Sequence, residues 1–380
     1  MNYPFKEQRK LFPTLTKTIH LSSCSQSAIS LPVKDAINHY LESWTEYGMD
    51  WMGWMERVQD AKNEFAALIN AEPDEIAVLS SVSDAASAFA GALSFTAERN
   101  KVVTPDIDFP CIGHVWLSHE RRNAQVTFLP AEEDQTILFE SYEKAIDSQT
   151  LVTSIPHVSY YNGFKQNLKS LSSLAHSKGS YVFVDAYQSA GSVSIDVKDS
   201  NVDVLVAGAQ KFLLGVPGIA FMYVKKELAN QLEPLTTGWF SRKNPFAFTN
   251  QVLDYADGTG RFDTGTPPMI NAYASHAGIA LLNDIGVKRI ETYLEHLSKL
   301  CLETAQKHRL EIASPIDIAQ KGSTTAIRVK NAVYLEGHLK SQGIIVSARN
   351  DVLRIAPHFY NTEEEIVQTI EAIAHALITK

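Results

Sequence analysis

Two residues of opposite charge, Asp185 and Lys211, each follow a short apolar segment of the chain. The segment from Tyr181 to Val184 ends on the aspartate, and the segment from Val202 to Val206 leads to the lysine. The length and the β-branched residues of both segments are typical of buried strands. Because the carboxyl ends of parallel strands open on a ligand crevice, an acid and an amine arriving there can contact opposite ends of one small molecule.

Pyridoxal phosphate is the cofactor whose chemistry needs this pair. A lysine forms a Schiff base with it, and a carboxylate keeps its pyridine nitrogen protonated so that the ring can accept electrons. Each residue alone has a simpler interpretation, because an aspartate after a strand commonly caps a helix and a lysine is commonly solvated. The pair of Asp185 and Lys211 favours the cofactor.

Two further segments could contact such a cofactor. The small polar residues from Ser80 to Ser87 follow an apolar segment, and they are expected to begin a helix. Backbone amides at a helix N-terminus attract anions, so Val82 and Ser83 are candidates for phosphate binding, with a simple helix cap as the alternative. Phe109 is a candidate for stacking on a planar ring, with core packing as the alternative.

Two segments later in the chain also carry polar groups of suitable chemistry. In the segment Thr264–Pro268, Thr266 places a hydroxyl and a backbone amide directly before two prolines, which suits contact with a phosphate. Arg354 alternates with the apolar residues of Val352–Ala356, so it is expected to point away from them. Arginine is well suited to a bidentate contact with a substrate carboxylate, and a structural ion pair is the alternative.

The composition excludes several classes of function. Of the 380 residues, 45% are hydrophobic and 20% are charged, and the formal net charge is −9. Nucleic acid is not predicted as a partner, because its binding normally needs a concentrated basic face. A membrane is not predicted either, because no apolar stretch is long enough to span a bilayer.

Cysteine and histidine spacing gives no support for a metal site. Cys24, Cys111 and Cys301 lie far apart and form no CxxC pair, so neither a disulfide framework nor a thiolate zinc site is predicted. The histidines show no HExxH spacing. A reducing compartment suits these cysteines, and the charged N-terminal residues do not resemble a secretory signal. We therefore expect a cytoplasmic protein.

Short apolar segments alternate with helical patterns from residue 76 to residue 224. This alternation predicts an α/β fold with a mainly parallel, doubly wound sheet. The predicted strands are Ile76–Leu79, Lys101–Thr104, Val126–Leu129, Leu151–Ile155, Tyr181–Val184, Val202–Val206 and Gly218–Val224. Before them, the apolar spacing of Leu31–Ile69 predicts two helices joined near Gly48.

The same pattern predicts how the chain divides into domains. Residues 1–20 are expected to form an N-terminal arm, and residues 21–268 a large cofactor-binding domain with seven strands. Residues 269–380 are expected to form a small C-terminal α+β domain, with strands at Thr325–Val329, around Ile344–Ser347 and at Val352–Ala356.

Three segments together resemble the class V aminotransferases, a family of fold-type I pyridoxal phosphate enzymes that includes cysteine desulfurases, kynureninases and isopenicillin N epimerases. They are Val184–Gly191, Gln210–Lys211 and Gly215–Ile219. The spacing of Val202–Val204 adds to them, and the resemblance covers nearly the whole chain. It implies that Lys211 forms the Schiff base, that Asp185 pairs with the pyridine nitrogen, and that Gln188 lies near the phenolic oxygen of the cofactor.

The resemblance also implies contacts at the phosphate and at the substrate. Ser83 and Gln210 would touch the phosphate, and Thr266 would reach it from the neighbouring subunit of a homodimer. Arg354 would hold the substrate carboxylate. Within the family the chain is most similar to kynureninase, at Asp108–Pro110, Tyr160–Gly163, Gly238–Phe240 and Gly265–Pro268. These segments imply that Phe109 stacks on the ring, that Tyr160 belongs to a cofactor-binding tyrosine pair, and that Trp239 lies near the phosphate.

The chain also departs from its relatives at positions that bear on the reaction. Kynureninases have a histidine where this chain has Gln188 and a tyrosine where it has Gln210, and desulfurases have a histidine before the lysine. Desulfurases also carry a mobile cysteine upstream of the final arginine strand, whereas Ser341–Arg349 contains none. Transfer of sulfur as a persulfide is therefore not expected.

The expected protein is a homodimeric pyridoxal phosphate enzyme that acts on an α-amino acid. Transamination, cleavage or elimination at the β-carbon, and racemisation would use the same residues, and we prefer transamination or a kynureninase-like lyase reaction. A β-eliminating C–S lyase, an epimerase and a catalytically silent scaffold are the alternatives. A nicotinamide-dependent dehydrogenase is disfavoured, because the Ser80–Asp84 loop lacks GxGxxG spacing.

Overall fold

The computed structural model describes residues 3–378, which form helices packed around three β-sheets. The strands are β1 (Ile19–His20), β2 (Ile76–Leu79), β3 (Lys101–Pro105), β4 (Gln125–Leu129), β5 (Thr150–Pro156), β6 (Tyr181–Asp185), β7 (Val204–Gly208), β8 (Ala220–Val224), β9 (Thr325–Arg328), β10 (Ile344–Ile345), β11 (Ser347–Arg349) and β12 (Val352–Ile355). The helices are α1 (Lys6–Arg9), α2 (Leu31–Tyr47), α3 (Trp51–Ile69), α4 (Val82–Ala92), α5 (Pro110–Ser118), α6 (Phe139–Ala145), α7 (Leu168–Ser177), α8 (Val197–Ser200), α9 (Lys226–Ala229), α10 (Met269–Ile285), α11 (Val287–Lys307), α12 (Ala332–Ser341) and α13 (Glu363–Ile378).

The largest sheet has seven strands in the order β2-β8-β7-β6-β5-β3-β4. Six of them run in the same direction, and β8 runs opposite to its neighbours β2 and β7. The central strands β5 and β7 are buried along their whole length, as expected for apolar strands covered by helices on both faces of a sheet. The prediction of an α/β fold with a seven-stranded, mainly parallel sheet is confirmed.

One edge of this sheet collects the carboxyl ends of the parallel strands. Asp185 is the last residue of β6 and lies opposite Val206 of β7. Lys211 follows three residues after the end of β7 at Gly208. Because the strands are parallel, the loops after β2, β3 and β5 open at this same edge.

The first helices are positioned by caps that the sequence provides. At the start of α2, the Ser30 side chain accepts a hydrogen bond from the Val33 amide at 3.3 Å. The helix ends at Gly48, whose φ of +71° favours glycine. Asp50 caps α3 by accepting from the Gly53 amide at 3.2 Å, so the two helices form where the apolar spacing predicts them. Helix α10 packs against both, for example through Tyr273 and Tyr40, whose ring centroids are 5.5 Å apart.

The N-terminal residues pack against the C-terminal part of the chain. Strand β1 pairs in parallel with β10, and the buried Phe12 ring lies 4.6 Å from the ring of Tyr360. Arg9 forms an ion pair of 2.6 Å with Glu365. The antiparallel sheet β11-β12-β9 lies beside this region and carries Arg354 on its central strand. The domain limits at residues 20 and 268 stay a prediction.

Two further structural facts bear on the expected setting of the chain. Within residues 3–378, no helix is both long enough and apolar enough to cross a bilayer. Cys24 and Cys301 are buried, Cys111 is half-buried, and all three thiols are free. Among the same residues, no group of three or more histidine, cysteine, aspartate or glutamate side chains is arranged to hold a metal ion.

Candidate active site

A cavity of about 340 Å³ lies at the carboxyl edge of the large sheet. Its walls come from the loops after β2, β3, β5, β6 and β7, from the turn at residues 22–26, and from the hairpin of β11 and β12. The residues that line it are Cys24, Ser25, Ser81, Val82, Ser83, Asp108, Phe109, Cys111, Pro156, Val158, Tyr160, Asp185, Tyr187, Gln188, Gln210, Lys211, Arg349 and Arg354. The fold therefore brings together all but two of the predicted site residues, and the exceptions are Trp239 and Thr266.

Asp185 is held in the cavity wall by the turn that follows β6. One oxygen of its carboxyl group accepts a hydrogen bond from the backbone amide of Tyr187 at 2.8 Å. Burial raises the pKa of this carboxyl group, while the bond to Tyr187 and the charge of Lys211 lower it. A cationic ligand group beside Asp185 would further favour its charged form.

Lys211 has the surroundings of a reactive amine. Burial lowers its pKa to about 8, against the opposing charge of Asp185. Its Nζ lies 3.9 Å from the centre of the Tyr187 ring and 5.7 Å from that of Phe109. The Ser27 hydroxyl fixes the loop by donating to the Lys211 carbonyl oxygen at 2.6 Å. A lysine with a pKa near neutrality can act both as a nucleophile and as a base.

The two glutamines that distinguish this chain contact the turn at residues 22–26. Gln188 donates a hydrogen bond to the carbonyl oxygen of Cys24 at 3.1 Å, and Gln210 donates to that of Ser25 at 3.4 Å. The side-chain oxygen of Gln188 is buried and has no hydrogen-bond partner among the described residues. Because a buried polar atom without a partner is costly, this oxygen is suited to receive a hydrogen bond from a ligand.

The start of α4 offers an anion site to the same cavity. Ser81 caps the helix and accepts a hydrogen bond from the Asp84 amide at 3.1 Å. The first residues of a helix have no intrahelical partner for their amides, and here Val82 and Ser83 line the cavity. A phosphate bound there would interact with these amides and with the positive end of the helix dipole.

Phe109 and Tyr160 form an aromatic wall opposite these groups. Their ring centroids are 5.2 Å apart in an edge-on arrangement. Both residues line the cavity, and Phe109 as a whole residue stays 39% exposed. This exposure favours the stacking interpretation of Phe109 over core packing. Tyr160 also accepts a hydrogen bond through its carbonyl oxygen from Arg354 at 2.8 Å.

Arg354 is buried and held by neutral oxygen atoms. Besides the bond to Tyr160, its guanidinium donates to the hydroxyl of Ser25 at 3.0 Å and to that of Ser347 at 2.7 Å. Across residues 3–378, no carboxylate lies within ion-pair distance of Arg354. A structural ion pair is therefore not its role, and the guanidinium retains a charge that a substrate carboxylate could neutralise.

Trp239 and Thr266 lie outside this cavity. Trp239 packs among aromatic side chains, at 6.0 Å from Trp51 and 6.2 Å from Phe248 between ring centroids. Thr266 is exposed at the surface. A contact of Thr266 with the cofactor requires a second subunit, so its role and that of Trp239 stay predictions.

Several lining residues were not assigned from the sequence. Tyr187 lies over Lys211, although only its position two residues after Asp185 hints at this. Asp108 is buried, accepts a hydrogen bond from the Phe109 amide at 2.6 Å, and has a second carboxyl oxygen without a partner in the described chain. Burial and the nearby Asp185 raise the pKa of Asp108 well above its usual range. Arg349 also lines the cavity, and its partner in the hairpin, Val352, lies two residues before Arg354.

These residues suit pyridoxal phosphate on chemical grounds. Asp185 could hold a protonated ring nitrogen, Lys211 could bond an aldehyde carbon, and the start of α4 could bind a phosphate. Buried atoms without partners face or adjoin the cavity at Asp108 and Gln188, and a polar planar ligand would supply what they lack. A cofactor held in this way acts as an electron sink for bonds at a substrate carbon.

Comparison with known proteins decides the family. Residues 19–368 match the family model described as Aminotransferase class-V. The chain belongs to the class V aminotransferase family. Enzymes of this class use pyridoxal 5'-phosphate, so the predictions of the family, of an enzyme and of this cofactor are confirmed.

The individual relatives do not identify the specific reaction. The chain is 42% identical, over 99% of both chains, to the uncharacterized aminotransferase YcbU of Bacillus subtilis strain 168. It is 26% identical to a kynureninase of Bacillus thuringiensis subsp. konkukian strain 97-27, over 93% of this chain and 87% of the relative. In fold it is similar to the cysteine desulfurase of Thermococcus onnurineus NA1, with a TM-score of 0.90, 21% identity, and coverage of 100% and 99% of the two chains. The roles of individual site residues stay predictions.

Proposed function

We propose that this class V enzyme is an aminotransferase that acts on an α-amino acid in the Lys211 cavity. The observation that carries the proposal is the meeting of Lys211 and Asp185 in one cavity beside the start of α4, where burial also lowers the pKa of Lys211 to about 8. By contrast, burial raises the pKa of Cys111 to about 11 and that of Tyr187 to about 12. Lys211 is thus the group among these three that can gain and lose a proton near neutral pH. Such a base would serve transamination, and the 42% identity over 99% of this chain to an uncharacterized aminotransferase favours this reaction over the others.

Each residue has a role in this proposal. Pyridoxal phosphate, when bound, stabilises negative charge that develops at the substrate α-carbon. Asp185 holds the ring nitrogen, and the start of α4 with Ser83 and Gln210 holds the phosphate. Arg354 orients the substrate through its carboxylate. Lys211, whose backbone carbonyl accepts a hydrogen bond from Ser27, would take the proton from the substrate α-carbon and would then give it to the cofactor carbon that receives the amino group.

Two observations argue against sulfur transfer through an enzyme persulfide. Strands β11 and β12 are joined by Asn350 and Asp351 alone, so this hairpin has no mobile loop that could carry a cysteine to the cofactor. Cys111 lines the cavity, but its raised pKa of about 11 keeps it a thiol at neutral pH, and the thiolate is the nucleophile.

A kynureninase-like cleavage of the β-carbon bond is the second candidate. It is favoured by the placement of Phe109 and Tyr160 in one wall of the cavity, and by the similarity to a kynureninase. The two candidates differ in one requirement, because transamination needs a keto acid that accepts the amino group and cleavage does not.

The absorption spectrum of the purified protein, with a product assay, tests the proposal. We expect a near-visible band that disappears in Lys211→Ala and remains in the surface control Lys307→Ala. With a panel of amino acids, a new keto acid should appear when an acceptor keto acid is present. Product formed equally well without an acceptor would replace transamination by the lyase reaction. A protein that takes up no pyridoxal phosphate would overturn both candidates.

We infer that the enzyme works as a homodimer. Large apolar side chains are exposed near the turn between α2 and α3, with Met49 at 70% and Met52 at 73% exposure, and Phe248 is 78% exposed. Contiguous exposed apolar groups mark interaction surfaces, and Trp51 and Trp239 connect these two regions. The position of Thr266 outside its own cavity supports a shared site. The cytoplasmic location stays a prediction from the cysteine pattern.

A further inference from the structure

Arg349 places a second guanidinium in the cavity wall beside Arg354. In the hairpin, Ser347 lies opposite Arg354 and Arg349 lies opposite Val352. Residues two apart in a strand point to the same face, so Arg349 and Arg354 share one face of this sheet. They are diagonal neighbours, and the Cβ atoms of such neighbours are about 7 Å apart. Both arginines line the cavity that contains Lys211.

The charge of Arg349 has no counterpart nearby. Over residues 3–378, no carboxylate lies within ion-pair distance of its guanidinium, and its buried Nε has no hydrogen-bond partner. Asp351, two residues away, pairs with Arg328 and accepts from the Tyr161 hydroxyl at 2.7 Å. Glu336 accepts from the Ala348 amide at 3.1 Å. A partly buried cation without a partner is costly unless a ligand supplies an anion.

The other charges of the cavity are already assigned in the proposed function. Asp185 faces the ring nitrogen of the cofactor, the start of α4 faces the phosphate, and Arg354 faces the α-carboxylate of the substrate. Asp108 does not offer a compensating negative charge, because burial and Asp185 raise its pKa well above the usual range. An ordinary monocarboxylic amino acid would leave Arg349 without a counter-charge.

We propose that Arg349 binds a second carboxylate at the far end of the substrate side chain, so that the enzyme prefers a short dicarboxylic amino acid. This inference rests on the proposed aminotransferase function. Because Arg349 and Arg354 are diagonal neighbours with Cβ atoms about 7 Å apart, the two carboxylates of a short side chain such as that of aspartate or glutamate could reach both guanidinium groups. The guanidinium suits this task, because its planar N–H groups match the two oxygen atoms of a carboxylate.

Two matched substrate pairs test the proposal by kinetics. Aspartate and asparagine differ in the charge of the side-chain end at nearly equal size, and glutamate and glutamine do likewise. We expect the wild-type enzyme to favour the acid over its amide by about 10- to 100-fold in kcat/KM, the range of a charge-assisted hydrogen-bonded pair. Arg349→Gln should abolish this preference by lowering kcat/KM for the acids far more than for the amides, and Arg349→Lys should retain part of it. The exposed Arg121→Gln serves as the matched control.

A binding measurement separates this inference from the proposed function. Calorimetry with the holoenzyme compares succinate, which has two carboxylates, with its monoamide succinamate. Tighter binding of succinate that is lost in Arg349→Gln would support the second carboxylate site even if no amino acid were transaminated. An unchanged preference between acid and amide in Arg349→Gln would overturn the inference while the aminotransferase proposal stands. A third outcome would also overturn the inference. If Arg349→Gln lowered the affinity for pyridoxal phosphate and lowered kcat/KM equally for all substrates, Arg349 would be assigned to the cofactor phosphate.

Discussion

Asp108 and Asp185 are two carboxyl groups of one cavity, and their different surroundings give them different tendencies to ionise. Asp185 accepts a hydrogen bond from the Tyr187 amide and lies near the positive charge of Lys211. Asp108 has one oxygen without a partner in the described chain, and its pKa is raised by burial and by the charge of Asp185. Two carboxyl groups this close and this buried do not both ionise readily. Asp108 is therefore the one that retains its proton.

This difference predicts the pH dependence of Asp108→Asn. A carboxyl group whose pKa is raised in the folded state stabilises the fold below its unfolded pKa, and this contribution is lost as pH rises towards the folded pKa. The asparagine cannot ionise and can still accept from the Phe109 amide. We therefore compare the melting temperatures of the variant and wild-type apoproteins. The difference, variant minus wild type, should be larger at pH 8 than at pH 5 by about 2 °C or more, roughly the effect of 1 kcal/mol in a large domain.

Calorimetric unfolding at the two pH values measures this difference. As a matched comparison, Asp185→Asn should lose most of the affinity for pyridoxal phosphate, while Asp108→Asn should keep it. A difference in melting temperature that is constant with pH would show that Asp108 is ionised in the folded protein.

At the scale of elements, the end of β7 and the turn after β6 are packed too closely for a side chain at Gly208. A Cβ atom there would lie 2.0 Å from the ring of Tyr187. That ring lies over the amine of Lys211. The glycine thus allows the strand to pass beneath the aromatic ring that lies against the amine of Lys211.

We predict that Gly208→Ala displaces Tyr187 and weakens the cofactor site. Overpacking of this kind costs about 1–3 kcal/mol, so the dissociation constant for pyridoxal phosphate should rise about tenfold. Fluorescence titration measures it. Gly337→Ala is the control, because no atom lies within 4 Å of its added Cβ and alanine in a helix is favoured over glycine by about 0.5–1 kcal/mol.

A double-mutant cycle with Tyr187 tests whether the clash with its ring causes the loss of cofactor affinity. If the clash with the ring is responsible, Gly208→Ala should have little further effect in a Tyr187→Ala background. An equal effect in both backgrounds would assign the loss to the backbone of β7.

The seven strands of the large sheet could be predicted because each is a short apolar segment with turn residues at its end. Asp185 and Lys211 could be predicted as a pair because parallel strands bring their carboxyl ends together. The reversed direction of β8 and its place beside β2 depend on contacts distant in the chain. The contact of Gln188 with Cys24 spans 164 positions, and no local pattern indicates it. Arg349 was missed because its neighbours show no alternation until its pairing with Val352 is known.

At the scale of the whole molecule, the site residues divide into two groups. One group lines the cavity of its own chain. The other group lies outside it, with Thr266 exposed at the surface and Trp239 stacked against the exposed Phe248. Trp239 connects to the tip between α2 and α3 through Trp51. A symmetric dimer that buries this surface would bring Thr266 of one subunit towards the cavity of the other.

Subunit mixing tests whether the cavity is completed by the partner. Lys211→Ala removes the proposed base, and in a shared site Thr266→Glu would place a carboxylate beside the phosphate bound by the neighbouring subunit, so each homodimer should be inactive. If the site is shared, a mixed dimer has one cavity with wild-type Lys211 and wild-type Thr266. Random mixing in equal amounts makes about half of the dimers mixed, and with one of two sites intact the activity should recover to about a quarter of wild type.

Turnover after the two variants are denatured and refolded together measures this recovery. Lys211→Ala mixed with Lys211→Ala/Thr266→Glu is the control that should stay inactive. The presence of mixed dimers is verified by size and mass. If these mixed dimers are as inactive as both parent homodimers, each cavity is complete within one chain.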